Sequence, residues 1–157
     1  MQHYSSLVSI HILFAGMWVI FFAADILIKK QVREARREQV KNKFISLYLK
    51  FTNLFGIVGS VGITITGIII VFLNPGYGFF DMSHAHWLAT KQIIFVIILL
   101  TTFFVIIPQS KKLRLMIAQG DAENIHYQFE KIAKVNRIIN VLVILNLAFA
   151  LTHRMYT

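Results

Sequence analysis

The chain has no cysteine. Disulfides, thiolate metal sites and covalently attached c-type haem are therefore excluded within it. Proline is confined to Pro75 and Pro108, and neither a low-complexity tract nor an extended linker interrupts the 157 residues. One domain, 1–157, is expected. Acidic residues are scarce as well, 7 Asp and Glu against 16 Lys and Arg, which gives a net charge of +9.

What fills the chain is apolar side chains, at 57% of residues with a mean hydropathy of +0.66. Four stretches, at roughly 5–28, 44–73, 86–107 and 135–152, come near or exceed the ~20 residues needed to cross ~30 Å of hydrocarbon. An all-α membrane four-helix bundle follows. The first stretch lacks a basic leader and a small-residue cleavage site and runs directly into Lys29 and Lys30, so it is expected to remain as helix one.

All Lys and Arg residues except Lys91 and Arg154 fall in the 29–50 connection or in the 108–137 region. The positive-inside rule turns both basic regions toward the cytoplasm and puts the N-terminus, the 74–85 connection and the C-terminus on the outer, periplasmic side of an inner (plasma) membrane. The pI near 10.1 is then a product of topology, and nucleic acid is not an expected partner. Anionic lipid headgroups would be drawn to the basic loops.

Local signals refine this layout. The charged run 29–43 suits a solvated helical extension, Asn74, Pro75 and Gly76 make a turn, and Asp81 or Ser83 suits a cap for helix three. Pro108 is read as the exit of helix three, and the amphipathic stretch 121–134 as lying at the inner surface before helix four enters.

With these spans threaded, every histidine except His126 gathers at the outer end: His3, His11, His84, His86 and His153. Imidazole is the common protein ligand for haem iron, copper and zinc. On helix one, His11, Ala15, Trp18, Phe22 and Asp25 repeat at 4, 3, 4, 3 spacing and share one face, which should turn inward because either polar group would be costly against lipid. Asp25 lies near the cytoplasmic end, within reach of water or a basic side chain. Helix two carries Asn53, Gly56, Ser60, Thr64 and Gly67 on one stripe and Gly59, Gly62 and Thr66 on another, so it is expected to pack on both sides. His84, Trp87 and Lys91 share a face of helix three, where Lys91 either snorkels or holds an anionic group. Arg154 offers the same service from helix four, on which Asn146, Ala150 and His153 align. Asn136 and Asn140 form an inner polar pair suited to interhelical hydrogen bonds.

The segment His11-Ile12-Leu13-Phe14-Ala15-Gly16-Met17-Trp18, the small-residue-rich second helix, His86-Trp87-Leu88-Ala89-Thr90-Lys91 and Lys134-Val135-Asn136-Arg137 together resemble a group of small four-helix membrane proteins. These include the HemJ-type protoporphyrinogen oxidases and the CopD-type copper-resistance membrane domains. The likeness covers nearly the whole chain in layout, through short motifs. It implies b-type haem, with His11 and Lys91 at the corresponding helix-one histidine and helix-three lysine. The chain departs from the HemJ pattern at Ala24-Asp25-Ile26-Leu27-Ile28, where an arginine-containing segment followed by histidine would stand, and at Val135-Asn136-Arg137-Ile138, where glutamate and proline would follow the asparagine.

The expectation drawn from these readings is a protein that binds one haem b in its outer half and takes part in electron transfer, as an oxidoreductase or as a subunit of a larger redox membrane complex or homo-oligomer. His11 would supply one axial ligand and His86 or His153 the other, with Lys91 and Arg154 neutralising the propionates. Two alternatives stand beside it. One is copper handling through Met82, His84 and His86, since thioether and imidazole suit Cu(I). The other is a cofactor-free assembly subunit.

Overall fold

The computed structural model describes residues 2–83 and 85–152. These form four long helices, α1 (Gln2–Glu34), α2 (Glu38–Leu73), α3 (His86–Gln119) and α4 (Ala122–Thr152). Each is long and apolar enough to cross a bilayer, and the described residues contain no strand. The protein is an all-α membrane bundle. Outward-facing apolar side chains such as Phe72 at 77% and Phe104 at 75% exposure belong against lipid rather than water.

The helices outrun the stretches read from hydropathy. At ~1.5 Å per residue, the 33 residues of α1 and the 31 of α4 extend roughly 50 Å and 45 Å, well beyond ~30 Å of hydrocarbon. The surplus turns lie at the basic end. There Val32, Ile45, Leu113, Ile125 and Phe129 are buried together in a conventional apolar core. The physical reason is solvent: beyond the bilayer, water drives apolar side chains together, whereas inside it lipid tails are as apolar as they are. The 121–134 stretch is thus not a separate surface segment. From Ala122 it is the first part of α4, with Ile125, Gln128, Phe129, Ile132 and Ala133 buried.

Pro108 does not end helix three either, because α3 continues through it to Gln119. The turn just upstream, Thr102–Ile106, is π-helical. That widened turn lets the chain take a residue with no N–H donor and a bulky ring without breaking. α2 has its own π-helical turn at Phe55–Gly59, where Gly56 faces Thr102 so closely that a Cβ would sit 3.3 Å from the threonine methyl. Gly120, at φ 72°, closes α3 in the left-handed conformation, and Asp121 N–H bonds back to the Met116 carbonyl at 3.1 Å.

α1 packs along α2, and α3 along α4, as two antiparallel hairpins. Both small-residue stripes of α2 are used, as expected. Gly59 and Gly62 receive the rings of Trp18 and Phe14 from α1, and Gly56 meets α3. Farther toward the basic end, Arg114 of α3 donates to the Leu49 carbonyl of α2 at 3.1 Å and, with the Asn53 amide oxygen turned toward it, to that side chain at 3.1 Å. α2 therefore packs on both sides, against α1 and α3.

Candidate functional site

Two polar groupings lie inside the bundle, one at each end. At the histidine end, His11 is half-buried on α1, facing α2. Its Nδ1 lies 2.7 Å from Thr66 Oγ1, and that hydroxyl is itself 2.6 Å from the Gly62 carbonyl. A hydroxyl has one proton to give, and the carbonyl can only accept it. With Thr66 donating to the Gly62 carbonyl, Nδ1–H donates to Thr66 and the lone pair of a neutral ring is left on Nε2; in the other tautomer Thr66 donates to Nδ1. Gly67 completes the seat, since a Cβ there would stand 3.4 Å from His11 Cε1.

Lys91 stands at the same end of the bundle, on α3. Its ammonium lies 5.4 Å from the centre of the Trp87 ring, which meets Tyr77 edge-on at 5.8 Å. The Lys91 carbonyl accepts from Asn146 of α4 at 3.4 Å, while the Asn146 side-chain oxygen is buried without a hydrogen-bond partner. His11, Lys91 and Asn146 thus bring three helices to one region. Few close backbone approaches join the two hairpins there.

The other expected ligands are distributed differently. His86 is exposed on the first turn of α3, and Met82 is exposed in the preceding connection. His84, His153 and Arg154 lie outside the described residues, as does the side chain of His3. Among the described residues no three His, Cys, Asp or Glu side chains converge.

At the basic end, hydropathy and spacing pointed to Asp25, Asn136 and Asn140 but not to the residue that joins them. Tyr48 of α2 is fully buried and donates to Asp25 Oδ1 at 2.7 Å. It accepts from Asn136 Nδ2, also at 2.7 Å. Asn136 leans on Thr52 at 3.4 Å, and Asn140 donates to Asp25 Oδ2 at 3.0 Å. Lys29, one turn along α1, pairs with the same oxygen at 2.5 Å. A buried carboxylate thus finds a cation and two neutral donors, the condition under which such a charge is tolerated. The network ties α1, α2 and α4 where α1 and α4 otherwise scarcely touch. Asp25 does reach a basic side chain, and Asn136 and Asn140 do make interhelical bonds.

Within this network the carboxylate, the phenol and the ammonium are taken up by one another, while Asn140 Oδ1 is left without a partner. The network is best read as a clasp, and the histidine end as the candidate site. No protein-family model matches this chain, and no curated protein or solved structure does so either.

Proposed function

We propose that this protein binds one b-type haem at the histidine end of its bundle, in the outer half of an inner (plasma) membrane, and takes part in electron transfer alone or within a larger redox complex. The observation that carries the proposal is the anchored His11 ring. Iron-binding imidazoles characteristically donate their second ring N–H to a neighbour, which fixes the tautomer and aims the ligating lone pair. In the tautomer with its proton on Nδ1, the bond to Thr66 has this form, and no described residue hydrogen-bonds to Nε2. Gly67 puts no side chain beside the ring.

In this reading His11 would hold the iron from α1, with His86 or His153 as the second protein ligand. Lys91 and Arg154 meet the propionates at the membrane surface. When bound, the haem would supply one-electron chemistry, and the ligating imidazoles, burial and the nearby lysine would tune it.

The test is a reduced-minus-oxidised optical spectrum of protein purified in mild detergent from haem-replete cells. A b-type signal is expected, lost in His11→Ala. In Thr66→Val, which cannot accept the Nδ1–H bond, haem affinity should fall roughly 10- to 100-fold with the fold intact. Colourless, well-folded wild-type protein refutes the proposal, and stoichiometric copper in that preparation would favour the Met82, His84 and His86 alternative.

A further inference from the structure

A groove of about 550 Å³ runs between α1 and α4 at the basic end, beside the Asp25 clasp. Its walls are graded in step. On α1, Phe22 and Ile26 give way one turn later to Lys29, Lys30 and Arg33. On α4, Val141 lies one turn from Arg137 in the same direction. Both walls are thus apolar toward the hydrocarbon and, with Glu34 as the one carboxylate among the basic side chains beyond Asp25, predominantly cationic toward water, the polarity of a phospholipid lying beside them.

The cations are not equally occupied. Lys29 is taken by Asp25, and Arg33 reaches Glu130 at 3.2 Å. Lys30 has only a 3.8 Å approach to Glu34 between two largely exposed side chains, a pair of little worth in water. Arg137 has no hydrogen-bond or acidic partner among the described residues. One available cation therefore stands on each wall, at the level where the apolar lining ends.

We propose that this groove is a binding site for an anionic phospholipid, with the phosphate between Lys30 and Arg137 and an acyl chain along Phe22, Ile26 and Val141. The site is independent of the haem reading and lies at the opposite end of the bundle. Basic pockets between membrane helices on the cytoplasmic side are suited to anionic headgroups, and the positive-inside rule gives this end that orientation.

Native mass spectrometry of the full chain, with phosphatidylglycerol and phosphatidylcholine of matched acyl chains supplied in equal amounts, tests the site. The wild-type protein should retain phosphatidylglycerol selectively. Lys30→Gln with Arg137→Gln should weaken that retention roughly thirtyfold, the effect of removing two interfacial cations. Lys111→Gln with Lys112→Gln removes the same charge from the exposed face of α3 and should leave retention unchanged. A melting temperature raised by phosphatidylglycerol in wild type and in the Lys111 and Lys112 control, but not in the groove variant, supports the same conclusion. Equal retention of both lipids, equal losses in the two double variants, or displacement of the lipid by inorganic phosphate overturns it.

Discussion

Tyr48→Phe removes a single oxygen atom and leaves every ring contact in place. The ring packs edge-on against Phe129 at 5.3 Å and tilted against Phe21 at 6.5 Å, so the aromatic contribution is retained. Lost are the bond to Asp25 and the acceptor for Asn136. Interhelical hydrogen bonds in membrane proteins average only about 0.6 kcal/mol, because the unfolded chain in lipid finds other partners. Here the acceptor is a carboxylate on a residue 1% exposed, and hydrogen bonds to charged groups contribute about 1.5–3 kcal/mol. Asn136 keeps only its 3.4 Å contact with Thr52, which adds about 1 kcal/mol. A loss of about 2.5–4 kcal/mol is expected. Unfolding in mixed micelles of increasing SDS fraction, followed by tryptophan fluorescence, measures it, with Tyr127→Phe at a 72% exposed position as the unchanged control. A cycle with Asp25→Asn should return a coupling of at least about 1 kcal/mol. A loss below about 0.6 kcal/mol, or additivity within about 0.3 kcal/mol, would refute the clasp.

Asp25→Asn leaves Lys29, 8% exposed, without its anion, and should destabilise by about 3 kcal/mol or more in the same assay. Adding Lys29→Met should recover much of that loss, since the stranded charge then disappears. Gly62→Ala drives a methyl into the Phe14 ring and should lower stability by about 1–3 kcal/mol, whereas Gly16→Ala meets nothing within 4 Å and should be neutral or raise the melting temperature. Gly120→Ala places a side chain at φ 72° and should destabilise by about 1 kcal/mol, read as a lower SDS midpoint.

The span positions were legible because an apolar run of bilayer length has few other interpretations. The inward face of α1 was legible for a comparable reason: His11 and Asp25 are too polar for lipid, and their spacing puts them on one side. Tyr48 was not. In the run Leu47-Tyr48-Leu49 it resembles any interfacial tyrosine, and its role depends on which helix crosses it, which no local pattern encodes. One signal was present, since Ile45, Tyr48, Leu49 and Thr52 share a face carrying two hydroxyls, and Asn136 and Asn140 repeat that polarity on α4. Pro108 misled because ring and N–H rules describe an α-helical turn, whereas the chain before it is wound more widely.

The widened turns in α2 and α3 set the angular phase of everything beyond them. Each π-helical turn acts as one extra residue, and one residue corresponds to about 100° of rotation. Removing a residue from the Phe55–Gly59 turn would keep α2 helical yet swing Gly59, Gly62 and Thr66 away from Trp18, Phe14 and His11. The water-side half, keyed by Tyr48, would stay in phase. The two ends of this protein are therefore indexed separately, and a one-residue deletion could scramble the imidazole seat without loosening the far end.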